Sequence, residues 1–182
     1  MKRLIVVSVV LGLMAAACSG KVNPIPQAAN NLCVQLSMET GTFSLVDDPK
    51  VSLKELISKG GYGFVDPAIT DQNFKLSIEG KRDVVLYADL GDYLSSDQII
   101  RCMEKDGYLP ATLDDALAMG AMVPERQREN PILFLGTTWR DTEGHPRIPV
   151  LDVLQGGRGL DLPWFRSGWG NDFRFAAVRE LN

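Results

Sequence analysis

FRFAAVREL, residues 173–181, decides the fold class. At the two-residue period of a strand it places Phe173, Phe175 and Ala177 on one face and Arg174, Ala176, Val178 and Glu180 on the other. The phenylalanine face is expected in the core. Upstream, PILFLGTTW at 131–139 is apolar on both faces over residues 132–135, the pattern of a central strand. Between the two, RIPVLDVL, the glycine-rich QGGRG and LDLPWF predict a hairpin. FKLSIEGKRDVVLYADL at 74–90 predicts a second hairpin turning at EGKR, with Leu76, Ile78, Val84, Leu86 and Ala88 on one packing face.

Helices are punctuated by caps. Ser52 and Glu55 stand at capping-box spacing ahead of Leu53, Leu56 and Ile57, with Gly60 as the stop. Ser95 and Gln98 repeat the signal before Ile99, Ile100 and Met103, closed by Gly107. Thr112 opens a third helix with Leu113, Ala116 and Leu117 as its stripe, and PERQREN reads as a short exposed helix or turn. Strands and helices in this order predict an α+β fold of short helices packed on antiparallel strands.

The 182 residues suit one domain with a substantial core. MKRLIVVSVVLGLMAAACSG has a basic start at Lys2 and Arg3, an apolar stretch over residues 4–13 and small residues before Cys18, as an export signal does. The apolar stretch falls short of the ~20 residues that span a bilayer. Ala15-Ala16-Ala17-Cys18 resembles a bacterial lipobox, with alanine where leucine is usual, and the same letters fit a plain Ala-x-Ala cleavage site. The expected organisation is a signal peptide (1–17), a polar tether (18–31) containing two prolines, an N-terminal helix and hairpin region (32–94), and a C-terminal region (95–182) continuous with it. Loss of a leader carrying Lys2 and Arg3 and no acid takes the formal charge from -4 to -6. That balance excludes a nucleic-acid binder, which needs a basic face for phosphates.

Cys33 and Cys102 then remain in an oxidising compartment, where two thiols more often bridge than stay free; two unpaired buried cysteines are the alternative. There is no CxxC, and the single histidine excludes multi-histidine zinc sites, so no metal or cofactor is expected. His145, in the loop DTEGHPR between Gly144 and Pro146, lacks a nucleophile elbow to serve and reads first as a turn residue. The pair Asp114-Asp115 is explained by the positive end of its helix. The glycine runs at 60–63 and 156–159 lack the strand-to-helix setting of a phosphate loop.

The aromatic tail carries the functional expectation. Trp164, Arg166, Trp169, Asn171 and Asp172 lie in LPWFRSGWGND, where loop aromatics beside Ser, Gly, Asn and Arg combine rigid contact area with adaptable hydrogen bonds. Against this stands the simpler reading that the rings cap the core.

From residue 106 to 179 the order GYLPAT, helix, short helix, ILFLG, hairpin and closing WGNDFRFAAVR resembles the C-type-lectin-like fold. In sugar-binding members a Trp-Asn-Asp triplet supplies calcium and sugar ligands; here Gly170 interrupts it and no Glu-Pro-Asn precedes it. The resemblance therefore implies a binding surface near the closing strand. Over most of the mature chain, SLKELISKGGYGFVDPAIT, GYLPAT, PERQR, PILFLGTTW and RFAAVR are similar to an uncharacterised family of small bacterial proteins, a resemblance that implies no activity. Together these readings predict a lipid-anchored protein of the bacterial cell envelope, in the periplasm or at the outer surface. It is expected to bind a protein or glycan through Trp164, Arg166, Trp169, Asn171 and Asp172. The rival readings are an envelope hydrolase built on carboxylates with His145 assisting, and a structural lipoprotein without a ligand.

Overall fold

The closing alternation is realised as β11 (Arg174–Arg179), which lies in the middle of a mixed sheet. The computed structural model describes residues 32–47, 51–76, 80–89, 91, 93–165 and 168–179; Cys18 and the leader and tether lie outside them. On one edge of β11 runs β4 (Gly80–Asp89), antiparallel, with Arg174 opposite Ala88 and Val178 opposite Val84. The other edge is shared by β6 (Ile132–Leu133), parallel, and β5 (Tyr108–Pro110), antiparallel. The sheet continues from β6 through β9 (Val150–Leu154) and β10 (Gly157–Asp161) to β3 (Phe64–Val65), which pairs in parallel with β10. The fold is α+β, with parallel pairings at β6 and β3 added to the antiparallel strands.

β4 corrects the first predicted hairpin. Its outer edge is occupied end to end by β2 (Phe43–Asp47) and β1 (Leu36–Met38), and its inner edge by β11. Over residues 84–88, where a strand at 74–76 would pair, β4 has β11 on one edge and β2 and β1 on the other, so Phe74 and Leu76 serve as packing groups on the core in irregular chain; Ile78 lies outside the described residues. The second predicted hairpin is present. Leu154 pairs with Gly157 across Gln155 and Gly156, both with positive φ (51° and 80°), the requirement of a two-residue turn that follows the twist of the strands.

The two faces of the sheet bury separate cores, because alternate side chains of β4 and β11 point in opposite directions. Val84, Leu86, Ala176 and Val178 join Leu53 of α1 (Leu53–Gly60) and Leu113, Ala116 and Leu117 of α3 (Leu113–Met122). Val85, Tyr87, Phe175 and Ala177 join Ile99, Cys102 and Met103 of α2 (Ser96–Lys105). The predicted caps hold: Ser52 with Glu55 and Ser95 with Gln98 form capping boxes, and the Thr112 N–H and hydroxyl both donate to Asp115. The α1 stop falls one residue beyond the predicted Gly60, at Gly61 with φ 60°. Cys33, in a 3-10 turn (Leu32–Gln35), is disulfide-bonded to Cys102, which ties the start of the described chain to α2.

α4 (Arg126–Glu129) is not exposed on every side, as PERQREN suggested: Gln127 is buried, and its amide donates to the carbonyls of Asp152 and Gly159. Its carbonyl oxygen accepts from Arg158, whose buried guanidinium also donates to the carbonyls of Gly60 and Gly120. Those carbonyls belong to the last turns of α1 and α3, the negative ends of the two helix dipoles, so one cation serves both. Tyr62 lies beneath it, ring centroid 5.1 Å from the guanidinium carbon. The same ring fills the space that side chains at Gly60 and Gly120 would need, for a Cβ there would lie 2.2 Å and 1.9 Å from its atoms.

Candidate functional site

Next to the main sheet stands a ribbon of β7 (Trp139–Arg140) and β8 (Pro146–Arg147). Its loop is DTEGH. The Asp141 carboxylate accepts from the backbone N–H groups of Glu143 (3.1 Å) and His145 (2.9 Å), and Gly144 takes a φ of 84°. The short polar side chain thus builds the turn by substituting for a backbone carbonyl. Residue 164 extends the ribbon as a third strand: it bridges to Arg147, with the N–H of Ile148 on Pro163 O and that of Phe165 on Pro146 O.

Residues directly opposite in such pairs share a face. Trp139, Arg147 and Trp164 therefore form one row, and Asp141 with His145 the next. Trp139 is half-buried, its ring 6.2 Å from Phe74. The Arg147 guanidinium donates to Asp141 and to Leu162 O and lies over the Trp164 ring, 5.6 Å from its centroid. The His145 ring lies 5.8 Å from the same indole, its Nδ1 3.4 Å from Glu143 and 3.6 Å from Asp141. Trp164 keeps 59% of its surface exposed and the His145 side chain 54%. Burial works against ionisation of Asp141, but the His145 N–H, Arg147 and the Glu143 N–H outweigh it and hold the carboxyl below its ordinary value. The face is thus an exposed indole with a guanidinium over its ring, edged by an imidazole and two carboxylates.

The predicted site residues divide. Trp164 is exposed as expected. Trp169 is not: it is 1% exposed, and its expected place on the surface is corrected. The backbone of Trp169 bridges to Leu94, just ahead of α2, which brings the indole under the first helical turn. There its Nε1–H donates to Ser96 Oγ at 2.8 Å, and the ring meets Phe173 edge to face. Asn171 and Asp172 are exposed, and their carbonyls serve structure by accepting from Arg174 and Asn130. Arg166 lies outside the described residues. Sequence reasoning passed over the part of Arg147, Asp141 and Trp139. The available signal was the matched alternation of WRD at 139–141 and HPR at 145–147, short enough to read as loop.

A second polar group lies on the β9–β10 hairpin. Asp152 is pushed up to about 6 by burial and by the neighbouring Asp161 charge. Asp161 is raised too: burial and Asp66 outweigh the Leu162 N–H and Arg147. Among the described residues no group of three or more His, Cys, Asp or Glu side chains is placed to hold a metal ion, and no helix is long and apolar enough to cross a membrane. No family model, curated protein or solved structure matches the chain.

Proposed function

We propose that the protein is an exported, lipid-anchored component of the cell envelope that binds a protein or glycan through the ribbon face around Trp164. The exposed Trp164 indole, held in place by Arg147 and flanked by His145, carries this reading. A large ring left in water forgoes its burial energy, whereas a ring already fixed by its neighbours loses little entropy on meeting a ligand. Its polar edge of His145, Glu143 and Arg147 supplies donors and acceptors for orientation. The leader, the Ala-Ala-Ala-Cys junction and the tether support export and anchoring. The resemblance of the segment order over residues 106–179 to C-type-lectin-like proteins supports a binding surface near the closing strand.

The test compares wild type with Trp164→Ala on glycan arrays and on peptide libraries. An aromatic anchor at the centre of a contact surface is worth about 2 kcal/mol or more, so binding should weaken about thirtyfold. Folding stability should change by about 1 kcal/mol or less, because the ring is largely outside the core. A ligand retained equally by both proteins would place the site elsewhere.

A further inference from the structure

Between the β1–β2 connection and α4 lies a cavity of about 520 Å³. Phe43 lines it with apolar surface, the buried Leu86 lies at its floor, and Glu39, Thr40, Arg126 and Glu129 line it with polar groups. Arg126 stands between two carboxylates, donating through one terminal nitrogen to Glu39 and through the other to Glu129 (2.7 Å), while Arg174 donates to Glu39 from the other side. Two guanidinium groups and two carboxylates thus make a network of zero net charge in which donors and acceptors alternate.

This alternation selects a kind of ligand. A carboxylate approaching Arg126 would meet Glu39 and Glu129 beside it, and an ammonium approaching either glutamate would meet Arg126. A hydroxyl is both donor and acceptor and can bridge adjacent Arg and Glu groups without such repulsion. The Glu39 carboxylate has about four acceptor sites, of which the arginines use part, and Arg126 has N–H groups to spare. The partly exposed Phe43 ring suits the C–H face of a sugar ring. We infer that this cavity binds a neutral polyhydroxylated ligand of mono- or disaccharide size. The inference does not rest on the Trp164 face.

The experiment is saturation-transfer NMR on the purified mature protein with glucose and N-acetylglucosamine as probes and acetate and methylammonium as charged controls. Transfer to at least one sugar and to neither control is expected. Removing a charged hydrogen-bond partner in Glu129→Ala should weaken it about tenfold or more. Thr40→Trp, which fills the cavity from its exposed rim, should abolish it, and Glu104→Ala, at an exposed position of α2 outside both sites, should leave it unchanged. Absence of transfer to both sugars, stronger transfer to a control, or a sugar signal that survives Glu129→Ala and Thr40→Trp would overturn the inference. A signal lost only in Trp164→Ala would overturn it as well, while supporting the ribbon face.

Discussion

Trp164 and Trp169 belong to one short stretch, yet one is 59% and the other 1% exposed. The difference lies in what each backbone pairs with. Residue 164 bridges to Arg147 on the small ribbon, where the indole stays exposed among the described residues, whereas residue 169 bridges to Leu94 at the entry to a packed helix. A buried indole must also satisfy its N–H, and Ser96 does so. Trp169→Ala should therefore cost about 3 to 5 kcal/mol, read as a shift in urea denaturation. Trp169→Phe should fall between that variant and wild type, since it keeps much of the packing but strips Ser96 of its donor. A loss below about 1 kcal/mol in Trp169→Ala would show that the ring is not core.

Among the elements, the β9–β10 hairpin carries a testable electrostatic burden. Asp152 faces Gly159 across the pair, and a Cβ at that glycine would lie 2.5 Å from its carboxylate. With the carboxyl raised from 3.8 to about 6, the folded chain holds its proton to higher pH than the unfolded chain does. The associated stability is therefore fully present below about pH 4 and is lost as pH rises through 6. Asp152→Asn removes the charge, so its gain in melting temperature over wild type should be larger at pH 7.5 than at pH 4. An equal gain at both would show an ordinary carboxyl. The hairpin itself was legible, as were the helix starts, because turn and cap signals are local: Gln155-Gly156, Ser52 with Glu55, Ser95 with Gln98. What could not be read were pairings between distant segments. β2 claims the edge of β4 that the predicted hairpin arm at 74–78 would have used, and no local pattern announces that competition. β6 was legible from its apolar run at 132–135, though only Ile132–Leu133 pair, whereas β3, β7 and β8 are two-residue strands too short for alternation to stand out, and the ribbon that organises Trp164, Arg147 and His145 was hidden for that reason.

At the scale of the whole molecule, the sheet separates two cores that share β4 and β11 as a common wall. The Cys33–Cys102 disulfide fastens the beginning of the described chain to the α2 side, closing a loop with a sequence separation of 69. By the loop-entropy account such a closure stabilises by about 4 kcal/mol. Replacing both cysteines with alanine should lower the unfolding free energy by roughly that amount, measured against the oxidised protein in guanidinium. Equal stability of the two would mean that the closure entropy is offset elsewhere. On the opposite side, Glu39 with Arg126 and Arg174 ties the β1–β2 connection to α4 and β11 without a covalent bond. Burial opposes the ionisation of Glu39, but the hydrogen bonds and charges of the two arginines outweigh it and lower its pKa.

The contact of Tyr62 with Gly60 and Gly120 bears on how such a chain can drift over generations. The glycines sit on different helices and the tyrosine in the turn between α1 and β3, yet the ring leaves neither glycine room for even a methyl group. Any single step from glycine at 60 or 120 collides with the ring, and trimming the ring first opens a void beneath the Arg158 cation. The three positions are therefore coupled: a larger residue at 60 or 120 requires the ring at 62 to move or to be replaced.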